Sequence, residues 1–149
     1  MEQLNVPTLM FVAFRHVENR VLAAVVDAGF SVTLAQGRIL QRIGRDGTRL
    51  TALAEQAQVT KQTAGALVDQ LVATGYVERR PDPSDARARL ICFSDLGEQA
   101  WAVAAAELDR VQGEWAAHLG PAEWTQLGHS LTRLREITDP FVGLGAQGR

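Results

Sequence analysis

Two short groups of polar side chains have the types and spacing needed to bind nucleic acid. The first occupies residues 60–63, Thr-Lys-Gln-Thr, at a predicted helix start, and the second is Asp85, Arg87 and Arg89 in a charged loop. A glutamine amide presents a donor beside an acceptor, as the edge of adenine does, and Lys61 can meet guanine or phosphate as a point charge. An arginine at a loop tip can enter a narrow minor groove. The two groups therefore predict contact with double-stranded DNA.

The segment from residue 49 to 95 is predicted to position both groups, because it has the order helix, turn, helix, strand, charged loop, strand. Thr51 is the predicted cap of a short helix that runs to about Gln58. Thr60 is the predicted cap of the next helix, which ends at Gly75 in the left-handed conformation. The predicted buried positions are Leu53, Ala54 and Ala57 in the first of these helices and Ala64, Leu67, Val68, Leu71 and Val72 in the second.

Strands are predicted at 76–80 and 89–93, with the sequence PDPSDARA between them. Two prolines and a Ser-Asp pair favour a turn over a continuing strand, so the hairpin is predicted to have a long tip. The fold class predicted is mainly α with a small β-hairpin wing, a winged helix-turn-helix that lays one helix in the major groove.

The start of the second helix of this motif faces outward if its apolar stripe is buried. Gly65 and Ala66 remove bulk there, so the helix could sit deep and touch thymine methyl groups. Arg87 is predicted to enter the minor groove and Arg89 to meet phosphate. The other interpretation is that these are ordinary solvated positions. The predicted DNA-binding residues are Thr60, Lys61, Gln62, Thr63, Gly65, Ala66, Arg87 and Arg89.

Charge is distributed unevenly along the chain. Residues 38–89 carry nine Lys/Arg against six Asp/Glu, a net charge of +3, whereas the whole chain has −2 and the remainder therefore −5. A positive region on an acidic protein fits a phosphate-binding surface, although scatter among solvated faces gives the same count. Asp85 would repel DNA unless it were paired, so we predict that it holds Arg79 or Arg80 and fixes the loop; an ordinary surface charge is the alternative.

Two helices are predicted before the winged segment. Apolar residues recur at helical spacing over 7–28, and Thr33 with Gln36 forms the pattern of a capping box that starts the second helix. The predicted buried positions are Met10, Phe14, Val17, Val21 and Val25 in the first helix and Ala35, Ile39, Leu40 and Ile43 in the second.

Two further helices are predicted over 96–139, the first capped by Ser94 or Asp95 and the second beginning at Pro121. With the helix at 7–28, they carry more apolar surface than a small winged domain can bury, which favours a homodimer built from the two ends of one single-domain chain of residues 1–149. The alternative is that they pack on their own winged domain (about 33–95). A flexible tail is expected at 140–149. The predicted apolar positions are Leu96, Ala100, Val103, Leu108, Val111, Trp115 and Leu119, then Trp124, Leu127, Leu131, Leu134 and Ile137.

Several other classes of protein are disfavoured. The single cysteine, Cys92, cannot form an intrachain disulfide, and the three histidines lack metal-ligand spacing, so no metal or cofactor is expected. No nucleophile elbow or phosphate-cradling glycine loop is present, which argues against an enzyme. The uncharged run 3–14 is too short to cross a bilayer and the N-terminus is a poor secretory signal, so we expect a cytoplasmic protein without a membrane partner. A winged-helix module for protein contact, without an operator, is the alternative function.

The chain resembles the MarR family of transcriptional regulators. The resemblance is carried by Leu53-Ala54, the VTKQT helix start, Leu67-Val68-Asp69, Leu71, the GYVERR run at 75–80 and the Asp85-x-Arg87 wing signature. It implies an obligate homodimer, a pseudo-palindromic operator, and control of its own or a neighbouring gene, usually by repression. It also implies that Arg87 enters the minor groove and that Asp85 supports the wing through Arg79. Many members have an arginine where this chain has Ala66, which shifts base recognition here to Gln62, Arg87 and DNA shape.

The resemblance further implies a small aromatic effector bound between the first two helices and the winged domain. The candidate lining residues are Phe14, Arg15, His16 and Phe30; alternatively, the phenylalanines are core, with Arg15 and His16 solvated or at the dimer interface. Some relatives sense oxidants through a cysteine near the N-terminus, which this chain lacks. Cys92 lies within a predicted strand, so we expect a buried, unreactive thiol and no peroxide switch.

Overall fold

The predicted architecture of six helices and one hairpin is confirmed by a computed structural model that describes residues 3–141. The part of the predicted tail from residue 142 onward lies outside the described residues. The elements are α1 (Val6–Asp27), α2 (Leu34–Leu40), α3 (Leu50–Ala57), α4 (Lys61–Ala73), β1 (Val77–Asp82), β2 (Asp85–Phe93), α5 (Asp95–Leu119) and α6 (Pro121–Thr138).

Most helix starts lie where the capping residues predict them. Thr33 and Gln36 form the predicted capping box, and Thr60 and Ser94 cap α4 and α5 through their side chains. The predicted Thr51 cap is wrong: α3 begins at Leu50, and its N-cap is Arg49, which makes no side-chain cap bond. The helix therefore starts two residues earlier than the threonine suggests.

The core lies between α2, α3, α4 and the base of the hairpin. Ile39, Ile43, Leu53, Val68 and Leu71 are almost fully buried there. They pack with residues from the hairpin and its flanks: Tyr76, Val77, Ile91 and Phe93.

In α2 and α4, the predicted core positions Ala35 and Val72 are wrong, because both residues are exposed. The inward side of α2 is occupied by Gln36 instead, whose amide donates to Gln70 on α4 at 3.0 Å. On α4 the buried stripe is narrower than predicted, because Ala64, Val68 and Leu71 fill it and Leu67 is only half-buried.

The hairpin is longer and its turn tighter than predicted. Pairing runs from Val77–Phe93 to Pro81–Arg89, and then the register shifts so that Asp82 faces Asp85. A two-residue turn, Pro83-Ser84, joins the strands, and residues 86–88 bulge from β2. Pro81 is tolerated because a two-stranded hairpin has only edge strands, where one backbone N–H faces solvent.

Ion pairs with buried carboxylates join α1 to its neighbours. Glu18, which is buried, accepts two bonds from Arg38 of α2 at 2.8 and 3.1 Å. Glu107 of α5, also buried, accepts from Arg20 at 2.8 Å. Because a buried carboxylate is tolerated only when paired, each contact fixes where two helices meet.

Both ends of the chain carry apolar side chains that remain exposed in the protomer. No residue of α6 is buried, and Ile137 is 83% exposed. The alternative in which the flanking helices bury their apolar faces within the protomer is therefore wrong for α6 and for the first half of α1, including the predicted core residues Met10 and Phe14. The two exposed apolar faces comprise Leu4, Val6, Leu9, Met10, Phe11, Val12 and Phe14 near the N-terminus, and Leu127, Leu131, Leu134 and Ile137 in α6. None of the helices between residues 3 and 141 is long and apolar enough to cross a membrane.

Candidate nucleic-acid interface

The start of α4 is an ordered, exposed helix terminus. The Thr60 hydroxyl oxygen accepts from the Thr63 backbone N–H at 3.0 Å and donates to the Thr63 side chain at 3.0 Å. These bonds use both threonine side chains to fix the first turn. Lys61 and Gln62, between them, are exposed and make no side-chain hydrogen bond or ion pair with the described residues. They are the side chains at this terminus that can turn to a ligand.

Gly65 and Ala66 differ in their surroundings. Ala66 is exposed, whereas Gly65 is half-buried and faces α3, where a Cβ atom would lie 3.8 Å from Leu50. The absence of a side chain at Gly65 therefore serves the close approach of the two helices. Ala66 remains on the outer surface beside Gln62, without bulk to keep a groove at a distance.

Arg87 and Arg89 are exposed on the wing. The Arg87 backbone N–H donates to Asp85 Oδ1 at 3.0 Å, and its guanidinium has no partner among residues 3–141. Within residues 3–141, the one contact of the Arg89 guanidinium is a long one to the Ala88 carbonyl, at 3.5 Å. Both positive charges are thus available to an anionic groove.

The predicted support of the wing by an Asp85–Arg79 or Asp85–Arg80 pair is wrong. Arg79 pairs with Asp69 on α4 at 2.5 Å, and Arg80 pairs with Glu78 on its own strand. Arg79 lies where β1 passes α4, so that the exposed Asp69 is the acid it reaches. This contact connects the hairpin to α4 and offsets the one negative charge on the outer face of that helix.

A different arginine holds the wing. Arg49 donates to Oδ2 of Asp82 through both Nε, at 2.8 Å, and Nη2, at 2.6 Å. The other Asp82 oxygen accepts from the Ser84 backbone N–H at 2.8 Å and from its hydroxyl at 2.7 Å. Hydrogen bonds from Ser84 and Arg49 lower the pKa of Asp82 to about 2. The Arg49–Asp82 pair was not predicted from the sequence, where its one signal is a charged residue at a helix N-cap.

The candidate effector residues lie in separate environments. Phe30 packs edge-on to Tyr76 at the core, with 6.3 Å between ring centroids, as the core interpretation predicts. The Arg15 guanidinium lies 5.6 Å from the centre of the Phe11 ring. The ring centroids of His16 and Trp115 of α5 are 6.4 Å apart. Phe14 is half exposed, so it is not core within the protomer. These contacts divide the four residues between the core, the surface of α1 and the α1–α5 contact.

Cys92 is buried at the base of the hairpin, as predicted. Burial raises the pKa of its thiol, which keeps the nucleophilic thiolate scarce at neutral pH. The absence of a peroxide switch stays a prediction.

Comparison with known proteins finds one family model that matches part of the chain. The model of the MarR family matches residues 30–88. The fold is similar to that of the transcriptional regulator Tm0710 from Thermotoga maritima, at 27% identity and TM-score 0.61, covering 89% of this chain and 92% of that one. It is also similar to CouR from Rhodococcus jostii RHA1 bound to p-coumaroyl-CoA, at 24% identity and TM-score 0.72, covering 91% and 93%. Wild-type MarR from E. coli in its apo form is similar at 20% identity and TM-score 0.69, covering 89% and 98%. No curated protein matches this chain.

Proposed function

We propose that this chain is a member of the MarR family, whose model matches its winged-helix region, residues 30–88, and that it regulates transcription by binding a specific double-stranded DNA operator as a homodimer. One observation carries the proposal: in the described part of the chain, Lys61 and Gln62 at the start of α4 and the Arg87 guanidinium on the wing all have side chains without a partner. A helix start suits the major groove, and a wing arginine suits the adjacent minor groove.

In the proposed complex, the contacts divide by chemistry. Gln62 reads a base edge in the major groove, because its amide can pair with adenine, while Lys61 meets guanine or phosphate. The sugar-phosphate backbone of the DNA is contacted by Thr60, Thr63 and the free N–H groups of the first turn of α4. Arg87 enters the minor groove and Arg89 lies over phosphate. Ala66 allows the major groove to approach α4 closely, and Gly65 sets the distance between α3 and α4.

The homodimer is supported by the two exposed apolar faces near the chain ends. Apolar surface on this scale is costly in water, and side chains such as Phe11 (59% exposed) and Ile137 (83% exposed) are ones that a second copy would cover. A two-fold dimer presents two copies of α4, which fits an operator with two inverted half-sites about one helical turn apart.

Repression is the proposed output, since a dimer that occupies promoter DNA excludes polymerase without needing a further contact. A regulator that binds an operator must be in the same compartment as that DNA, so the proposal includes a cytoplasmic location. It also includes a small aromatic effector. CouR was solved with p-coumaroyl-CoA. Here α1 carries Arg15 beside the exposed Phe11 ring, so that the guanidinium could receive a carboxylate and Phe11 an aromatic group.

Measurement of operator affinity against salt tests the proposal. Each phosphate neutralised by the protein contributes about 0.9 to the slope of log affinity against log salt. Arg87→Ala is expected to weaken binding and to lower that slope by roughly one ion. Arg110→Ala, on α5 and outside the proposed interface, removes the same charge and is expected to leave the slope unchanged. An unchanged slope in Arg87→Ala would remove Arg87 from the DNA interface.

A further inference from the structure

The residues just before α3 are attached to the wing. Thr48 forms an antiparallel bridge with Ile91 of β2, through backbone bonds of 3.0 and 2.9 Å. Gly47 has a φ of +91°, and a Cβ atom there would lie 2.5 Å from Cys92 Sγ, so the chain can pass this close to β2 only at a glycine. The bridge therefore positions the next residue, Arg49, beside the turn of the hairpin.

Arg49 occupies a position whose usual function it does not perform. It is the N-cap of α3, where Ser, Thr, Asp or Asn would accept a bond from the first turn, and its side chain makes no such bond. The guanidinium instead reaches across to Asp82, 33 residues further along the chain. The position thus lacks a helix cap and provides a contact to the wing.

The hairpin end needs a positive charge at this place. Asp82 and Asp85 are cross-strand partners, and like charges directly opposite each other destabilise a hairpin. Arg49 Nη2 is 2.6 Å from Asp82 and 3.8 Å from Asp85, so it lies against both carboxylates. Asp82 is buried, at 8% exposure, which limits the screening of this contact by salt.

We propose that Arg49 is the positioning residue of the wing: through Asp82 and Asp85 it fixes the loop that presents Arg87 to the minor groove. The connection is continuous. Arg49 holds Asp82, Asp82 holds the backbone and hydroxyl of Ser84 in the turn, and Asp85, beside Arg49, holds the backbone N–H of Arg87. The effect of Arg49 on DNA binding rests on the proposed function. The structural part of the inference, that Arg49 fixes the wing, does not.

Hydrogen exchange of the free protein tests whether Arg49 fixes the wing. Arg49→Ser removes the contact to the wing and supplies a good N-cap, so α3 should keep its protection. The amides of Ser84 and Arg87 are expected to exchange at least about fivefold faster, because their acceptors are no longer held. Arg79→Ser, which removes an equal charge from β1, where Arg79 pairs with Asp69, is the control and should leave these two amides unchanged. Equal exchange in wild type and Arg49→Ser would overturn the proposal.

Operator binding separates positioning from direct contact, since Arg49 is itself partly exposed. Asp82→Asn removes a negative charge and releases Arg49. If Arg49 acts by positioning the wing, the affinity should fall, by about three- to tenfold, despite the more favourable net charge. If Arg49 is simply a phosphate ligand, Asp82→Asn should bind more tightly, which would overturn the proposal. Arg49→Lys keeps the charge with fewer donors and is expected to bind with intermediate affinity.

A double-mutant cycle with Arg87→Ala completes the test. If Arg49 acts through Arg87, adding Arg49→Ser to Arg87→Ala should weaken binding little further; additive losses would mean that the two arginines act separately and would overturn the proposal. Failure of the wild-type protein to bind any operator would instead count against the proposed function. The exchange experiment, which needs no DNA, would still decide whether Arg49 fixes the wing.

Discussion

At the start of α4, Thr60 and Thr63 bond to each other and to the helix, whereas Lys61 and Gln62 have no intramolecular partner among the described residues. The threonines therefore hold the helix terminus in one conformation in the free protein, which would lower the entropy lost in the proposed binding of DNA. The two residues between them differ in what they can recognise. The glutamine amide is suited to one base edge, and the lysine charge is attracted to every phosphate.

Gln62→Ala is accordingly expected to relax sequence preference at one base pair of each half-site. Removing a base contact typically lowers discrimination by about 1–3 kcal/mol at that position. The check is to measure binding to a set of operators, each changed at one position, for the wild type and the variant. Lys61→Ala serves as the comparison and should weaken all sequences alike. Uniform weakening by Gln62→Ala would contradict a base contact.

Single residues show where prediction from sequence succeeds and where it stops. Thr60, Lys61 and Gln62 could be placed because capping and helical periodicity are local, acting within four residues. The Arg49–Asp82 pair could not, since its partners lie 33 residues apart and only the folded hairpin brings them together. The expected Asp85–Arg79 pair failed for the same reason: Asp69, on a different element, is the acid that Arg79 reaches.

At the scale of elements, Gly97 determines how α5 meets the winged helix. It lies in the first turn of α5, where a Cβ atom would be 2.0 Å from the Tyr76 carbonyl oxygen and 2.9 Å from the Phe93 ring. The backbone of α5 therefore packs directly against the link between α4 and β1. This contact sets the direction in which α5 and α6 leave the winged helix.

Gly97→Ala is expected to destabilise the protein by about 1–3 kcal/mol, the scale of overpacking a filled site. Gly113→Ala is the matched control, because Gly113 lies in the same helix with open space at its Cβ position. In a helix interior, alanine is favoured over glycine by about 1 kcal/mol, so this variant should be stabilised. Urea unfolding of both variants measures the two effects. Equal stabilisation by the two substitutions would contradict the close packing at Gly97.

The elements themselves could be predicted to different degrees. The starts of α2, α4, α5 and α6 follow from Thr33, Thr60, Ser94 and Pro121, because each residue satisfies or tolerates the free N–H groups of a helix terminus. The hairpin was predicted too short because Pro81 favours an end of the first strand. A proline ends a central strand, but an edge strand such as β1 tolerates it.

At the scale of the whole molecule, the exposed apolar faces at the chain ends support the proposed homodimer. Leu131→Glu, in the middle of the apolar face of α6, is expected to shift the protein toward monomer, because a buried, unpaired carboxylate opposes association. His129→Glu also introduces a carboxylate on α6, about 160° round the helix from Leu131, and should leave the dimer intact. Sedimentation velocity over a concentration series measures the change. An unaltered mass in Leu131→Glu would place the dimer interface elsewhere.

The surplus of apolar surface could be recognised in the sequence, but its location could not. Met10 and Phe14 share a helical spacing with Val25, and the pattern alone assigns all three to the same core. In the structure only Val25 of the three is buried, because the packing of α1 against α5 leaves Met10 and Phe14 exposed. Whether an apolar face packs inside the protomer depends on where the neighbouring helices lie, and the periodicity of one helix does not contain that information.

The central claim is that the protein recognises a specific, two-fold DNA sequence through α4 and the wing. Selection of bound fragments from genomic DNA, run with wild type and Arg87→Ala at the same salt concentration, tests it most directly. We expect the wild type to enrich an inverted repeat with half-sites about one helical turn apart, and the variant to lose that enrichment. No enrichment by the wild type, or equal retention by Arg87→Ala, would contradict the claim and favour a winged helix that serves another partner.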